Sequence, residues 1–330
     1  DRRKDMEVFG YRFGVRWDDG LAVRLFACRF GDIREIRVVG DDAADLTLRN
    51  GETYEADGGS NDVGTEITVW DDAVGKIALR WNRIDRIEFK PTPAGLRVDD
   101  VRLKGKLTTE DGDFEGFIQW DSEEALSSDE LNGYSRDGKL DIRMDRIAAI
   151  ERAHDHCRVE LKDGRTYDLD GTNDVDSSIR GILVEDPRYG RIEATWDAFE
   201  RLEFVDNKSS GRGYDSYAPA KRLRATVTDL DDEARTGTMY FDLDEGETWE
   251  FLNGTRRGVE YNIPFSMVRT IVPKGRDDSE VTLTNGETLR LEDGHDVSEE
   301  NDGILLFVND DEDDSVYIRW DDVDRIELLQ

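Results

Sequence analysis

One arrangement of apolar and polar positions recurs six times along this chain. An apolar residue is followed, after a gap of one, by a large aromatic or Met, then two polar residues, an aliphatic, two more polar residues and an aliphatic. The clearest copies are Leu79-Arg-Trp81-Asn-Arg-Ile84-Asp-Arg-Ile87-Glu-Phe89, Ala194-Thr-Trp196-Asp-Ala-Phe199-Glu-Arg-Leu202-Glu-Phe204 and Ile318-Arg-Trp320-Asp-Asp-Val323-Asp-Arg-Ile326-Glu-Leu328. Weaker copies place Cys28, Phe30, Ile33 and Ile36, then Ile142, Met144, Ile147 and Ile150, then Ile263, Phe265, Val268 and Ile271. Positions two apart share one face of a strand. Trp81, Ile84 and Ile87 are three apart and share a face only in a tight 3₁₀ turn. Each phrase therefore predicts strand, one 3₁₀ turn, strand, and a repeat on this scale constrains architecture before activity.

Hairpin signals precede the strong copies. Leu46-Thr-Leu48-Arg-Asn50-Gly51-Glu-Thr-Tyr54, Val159-Glu-Leu161-Lys-Asp163-Gly164-Arg-Thr-Tyr167 and Val281-Thr-Leu283-Thr-Asn285-Gly286-Glu-Thr-Leu289 set Asn-Gly or Asp-Gly between alternating strands. That pairing predicts a type I′ turn with positive φ at both central residues. A further strand pair follows, at 67–70 with 75–79 and at 181–184 with 190–194. The weaker units open with Val101-Arg-Leu103-Lys-Gly-Lys-Leu107, a turn Glu110-Asp-Gly-Asp113, and Phe114-Glu-Gly116-Phe-Ile118-Gln-Trp120. A DG turn, a following F-x-G and a final strand–3₁₀–strand resemble the small-barrel families, SH3-like and Sm-like. The resemblance implies a fold and carries no binding residues with it.

The expectation is an all-β chain of tandem small five-stranded barrels with strand–3₁₀–strand corners, arranged as three two-barrel blocks. The first block is 1–90, with an incomplete leading unit 1–40 and a second unit 41–90. The second is 96–206, with units 96–152 and 156–206. The third is 220–330, with units 220–273 and 278–330. Linkers fall at 90–95 and 207–219. The leading unit lacks an equivalent of Val101–Leu107, so its open edge is completed either by removed residues or by another chain.

The 330 residues carry a net charge of −33, with 49 Asp and 29 Glu against 45 Lys and Arg. Nucleic acid binding depends on Lys and Arg neutralising phosphates, so this balance argues against it, and against an anionic membrane surface. It fits a saline setting, a coding bias or divalent cations. No run approaches the length of a membrane helix. The chain opens with Asp1, and a removed secretory leader, hence an extracellular, periplasmic or cell-surface location, is the expectation. Two Cys make no disulfide framework. Cys28, at a core position of its phrase, reads as a buried thiol, and Cys157 as another.

Candidate chemistry is sparse. An acidic loop follows each Asx-Gly hairpin: Asp57-Gly-Gly-Ser-Asn61-Asp62-Val63, Asp170-Gly-Thr-Asn173-Asp174-Val175 with Asp176 beyond, and Asp293-Gly-His-Asp296-Val297. Calcium takes six to eight oxygens from such flexible, Gly-containing carboxylate loops. Asp, Asn and Gly also favour plain turns, and the drifting spacing suits a turn. Acidic hairpins at 309–314 and 185–190 read as solvated tips. Trp17-Asp18, Trp120-Asp121, Trp196-Asp197 and Trp320-Asp321 resemble sugar-stacking pairs, although the phrase turns these rings inward. Arg86, Arg201 and Arg325 read as corner residues paired with neighbouring acids. His154 and His156 have no third ligand. No nucleophile motif or phosphate loop appears.

These readings favour a non-catalytic scaffold or structural protein with repeated binding surfaces, partnered by protein or by its own copies. A calcium-dependent adhesion module is the alternative, and a carbohydrate-binding or carbohydrate-active protein a third.

Overall fold

The computed structural model describes residues 6–8, 11–13, 28–57, 63–71, 73–91, 100–208, 214, 221–311 and 314–329. The chain is all-β. Among the described residues helix occurs only as single 3₁₀ turns. Contacts divide it into two compact units, one holding residues 28–91 with Tyr214, the other residues 100–208 and 222–329 with a short hairpin near the start.

That hairpin is β1 (Met6–Val8) with β2 (Tyr11–Phe13). The first unit contains β3 (Ile33–Val39), β4 (Ala43–Leu48), β5 (Thr53–Asp57), β6 (Ile67–Asp71), β7 (Gly75–Leu79) and β8 (Arg86–Glu88). They form a four-stranded sheet in the order β5-β4-β3-β8 and a separate β6–β7 hairpin. Phe89 stacks on Tyr214 at 6.2 Å.

The second unit continues with β9 (Lys104–Thr109), β10 (Gly112–Gln119), β11 (Glu130–Ser135), β12 (Gly138–Arg143), β13 (Ile147–Ala153), β14 (His156–Leu161), β15 (Thr166–Leu169), β16 (Ile182–Asp186), β17 (Gly190–Ala194) and β18 (Phe199–Phe204). Then follow β19 (Arg224–Asp229), β20 (Ala234–Tyr240), β21 (Phe251–Arg256), β22 (Val259–Pro264), β23 (Val268–Pro273), β24 (Asp278–Leu283), β25 (Thr288–Glu292), β26 (Ile304–Val308), β27 (Ser315–Ile318) and β28 (Val323–Leu328). Pairing runs β15-β14-β13-β18-β9-β10-β16-β17 in the first ten strands, with β11–β12 as a hairpin. The later ten pair in the corresponding order, β25-β24-β23-β28-β19-β20-β26-β27, with β21–β22. The two sets join where β17 pairs with β22.

The pairing does not separate into one five-stranded barrel per unit. Strands of residues 96–152 pair across the expected boundary with those of 156–206: β9 with β18, β10 with β16, β13 with both β14 and β18. Every buried main-chain N–H and C=O needs a partner, and the last strand of one phrase finds it in the other, at Ile150 opposite Leu202.

Local chemistry explains the elements. At 48–53, 161–166 and 283–288 the hairpin loops hold only glycine in the left-handed region, with Gly51 at φ +99°, Gly164 at +86° and Gly286 at +92°. This corrects the type I′ expectation. Asn50, Asp163 and Asn285 accept the amide two residues on, at 3.0, 3.1 and 2.9 Å, which keeps them out of that region. The result is a type I turn followed by a left-handed glycine. 3₁₀ turns occupy Phe30–Asp32, Trp81–Arg83, Met144–Arg146, Phe265–Met267 and Trp320–Asp322. The phrase at Trp196 forms a wider turn instead, because the Phe199 amide bonds the Thr195 carbonyl four residues back. Trp81, Trp196 and Trp320 are buried; Phe30, at the aromatic position of its phrase, is 66% exposed. Cys157 is buried and Cys28 only half-buried, which corrects the expected burial of Cys28.

Two glycines mark close strand approach. A Cβ at Gly116 on β10 would stand 1.9 Å from the Glu185 carbonyl oxygen, and one at Gly237 on β20 would stand 1.8 Å from that of Phe307. The F-x-G glycine is thus the point where β10 passes β16.

Candidate cation centres

Each ten-strand set has a tight turn just past its second strand. Trp120 and Glu124 exchange main-chain hydrogen bonds at 2.8 and 2.9 Å, as do Phe241 and Glu245 at 2.9 and 3.0 Å. The turn residues are left-handed without being glycine: Asp121 at φ 48° and Ser122 at 55°, Asp242 at 49° and Leu243 at 62°. Such conformations cost roughly 1–2 kcal/mol per residue and persist where the surroundings over-determine them. Here they turn Asp121 and Asp242 inward, to meet the acidic loops after β15 and β25.

At the first centre Asp121 is fully buried, and Glu124 and Asp174 nearly so. One oxygen from each lies within 4.8 Å of the other two. Asp121 Oδ1 accepts the main-chain N–H of Arg180 at 2.6 Å, and Oδ2 accepts its Nη2 at 2.6 Å and Nε at 3.2 Å. Asn173 Nδ2 donates to the same oxygen. The other guanidinium arm reaches Glu123 Oε1 at 2.6 Å. Asp174 Oδ2 accepts the Asn132 amide at 2.6 Å. Glu124 Oε2 is enclosed and accepts no hydrogen bond. Burial above all, with Asp174 and Asp121 adding repulsion, pushes the Glu124 carboxyl up to about 8. Burial also raises Asp174, while the Arg180 hydrogen bond holds Glu123 below its usual range.

The second centre has the same frame and different chemistry. Asp242 Oδ1 accepts the main-chain N–H of Asp302, the position held by Arg180 in the first centre. Asp242 Oδ2 takes His295 Nδ1 at 2.5 Å. Asp296 Oδ2 accepts the Asn253 amide at 2.6 Å, as Asp174 does that of Asn132. Two triads share Asp242: with His295 and Asp296, and with Asp244 and Glu245, the atoms of each within 4.8 Å of one another. Glu245 Oε2 is enclosed and accepts no hydrogen bond. Burial, then neighbouring carboxylates, raises Glu245 and Asp296 well above the usual range. Burial takes Asp242 to about 6 against the pull of His295, and the hydrogen bond to Asp242 lifts His295 to about 9.

Of the loop residues singled out in the sequence, Asp174 and Asp296 enter these centres, and Asn173 reaches Asp121. Asp170 bridges Tyr134 through its main chain, Asp176 holds Ser178, and Asp293 is exposed at φ 55°. Asp57 ends β5, and Asn61 and Asp62 lie outside the described residues. Trp17 and Asp18 lie outside them as well. His156 stands beside Asp155 and Asp168 on the surface, away from both centres. Sequence reasoning missed Glu124, Arg180, Asp242, Asp244, Glu245 and Asp302. Their signal was an alignment of Trp120-Asp121-Ser-Glu-Glu124 with Phe241-Asp242-Leu-Asp-Glu245. The acidic tips also differ from expectation. Asp186 is buried and accepts the amides of Glu115 and Arg188, both at 2.8 Å, while Asp310 pairs with Arg224.

No family model and no curated protein matches the chain. A solved structure titled streptogramin B lyase aligns over 91% of this chain and 94% of its own, at 10% identity and a TM-score of 0.12, a likeness too slight to carry argument. No described helix is long and apolar enough to cross a membrane.

Proposed function

We propose that this chain is a non-catalytic, extracellular or cell-surface scaffold that self-associates through its strand edges. The observation that carries the reading is the β17–β22 junction, where Arg191, Ile192, Glu193 and Ala194 face Asn262, Tyr261, Glu260 and Val259. Among the described residues β27, the counterpart of β17, pairs only with β26, and β12, the counterpart of β22, only with β11. The same register between two copies sets Val316 against Leu140 and Tyr317 against Lys139. A junction of this kind is head-to-tail and does not close on itself unless rotation permits, and an unpaired edge is a template for it.

Sedimentation velocity across a concentration series tests the reading. The Val308 amide bonds the Asp314 carbonyl, so by antiparallel alternation Tyr317 points its N–H away from β26. Tyr317→Pro removes that outward donor. The expected result is a mass that grows with concentration in the native chain and not in the variant. A native chain that remains monomeric throughout overturns the reading.

A second reading, the calcium-dependent module, is favoured by the enclosed, unbonded oxygen of Glu245 among the carboxylates of the second centre. The sugar-binding reading is weakened by the burial of Trp120, Trp196 and Trp320, whose rings offer no stacking face.

A further inference from the structure

The two acidic centres share a frame and differ at one decisive position. Asp121 and Asp242 each accept a main-chain amide from the loop that leads into the next strand, and the residue giving that amide is Arg180 in one and Asp302 in the other. In the first centre the Arg180 side chain folds back, placing its guanidinium on Asp121 and Glu123. In the second, a carboxylate replaces that cation.

Resting on the calcium reading of this chain, we propose that Asp242, Asp244, Glu245 and Asp296 bind one divalent cation, calcium by ligand type, and that Arg180 occupies the corresponding place in the first centre and excludes metal from it. Burying carboxylates together is costly unless a positive charge accompanies them. The first centre carries its counter-charge in its own sequence. The second has only His295, bonded to Asp242 from one side, while Glu245 Oε2 is enclosed without a donor. Calcium–oxygen distances of about 2.3–2.6 Å place ligands on opposite sides of one ion about 5 Å apart. Mutual separations within 4.8 Å therefore suit ligands of a single ion. An all-oxygen carboxylate set selects a hard cation over zinc or copper. The left-handed pair Asp242 and Leu243 holds the turn that aims this set inward.

Equilibrium dialysis of the full chain against calcium chloride, with the bound ion counted per chain, tests this as differences between variants. Asp296→Asn keeps an acceptor for the Asn253 amide and is expected to lose one calcium. Glu245→Gln, which touches no main-chain bond, is expected to lose the same one, and guards against misfolding of the first variant. Asp174→Asn is expected to lose none, and Arg180→Gln to gain one. Circular dichroism establishes that each variant is folded. If the native chain takes up no calcium, both the calcium reading and this assignment fall. If it takes up calcium and the count is unchanged in both Asp296→Asn and Glu245→Gln, the assignment falls while the calcium reading stands. If Asp174→Asn loses an ion, or Arg180→Gln gains none, the role given to Arg180 is overturned.

Discussion

The indole N–H of Trp120 donates to the main-chain carbonyl of Asp174, 2.9 Å away and 54 residues on. This bond joins two motifs that look independent in the sequence, the Trp-Asp pair and the acidic loop. It fixes the depth at which Asp174 enters its centre. Trp120 is fully buried and packs edge-on against Phe199 at 5.3 Å. Its counterpart Phe241 has no such donor. Trp120→Phe should therefore fold and lose about 1–3 kcal/mol, the cost of leaving a buried acceptor unpaired. Urea unfolding followed by circular dichroism measures it. No loss would mean that the bond is replaced as readily as it is in the other centre.

Gly116 should tolerate no side chain. A Cβ there meets the Glu185 carbonyl, which belongs to a strand already paired to β10 through Ile118 and Val184. Neither backbone can retreat without breaking that ladder. Gly116→Ala is expected to cost about 1–3 kcal/mol or more, with faster amide exchange at residues 183–185. A thermal melt unchanged by the substitution would contradict the close approach.

Asp186 acts as a staple between strands. Its carboxylate accepts the amides of Glu115 and Arg188 and the Arg188 guanidinium, whose Nη2 stands 2.7 Å from Oδ2. Asp186→Asn puts an NH₂ group where only acceptors fit, and about 1–3 kcal/mol should be lost. Because Arg188 is partly exposed, added salt should narrow the difference only slightly if the amide bonds carry most of it. Unfolding at low and high salt distinguishes the two contributions.

The parts of the fold legible in the sequence are those written within a few residues. The 3₁₀ corners follow from three-residue spacing, and the hairpins from Asx-Gly, although the turn type was missed because Asn50 bonds its own neighbour's backbone. Strand partners were not legible. β9 and β18 meet across almost a hundred residues, and nothing local at Leu107 names Leu202 as its partner. The acidic loops were misread for a related reason. Their lengths drift when counted from Asp170 and Asp293, yet the structure fixes them at the other end. There Asp174 and Asp296 accept amides from Asn132 and Asn253, while Val175 and Val297 are fully buried. The register was conserved at the Asp-Val pair and free at its start.

Glu250 should impose a pH dependence with a definite sign. It is buried, and Oε2 accepts the amides of Gly246 and Glu247, both at 2.7 Å. Burial outweighs those bonds, and with the charges of Glu247 and Asp244 nearby the carboxyl is raised from 4.5 to about 7. The folded chain thus holds this proton to higher pH than the unfolded chain does. Below about 4.5 both states are protonated and the contribution is fully present. As pH rises toward 7 the unfolded state ionises first, and stability falls by an amount on the order of 3 kcal/mol before levelling off. Gln at this position keeps a single oxygen for both amides and has no proton to lose. The difference in unfolding free energy between the native chain and Glu250→Gln, measured in chelator from pH 4 to pH 8, should therefore move in favour of the variant as pH rises. A difference that stays flat would show that the two amide bonds offset the burial and that Glu250 ionises normally.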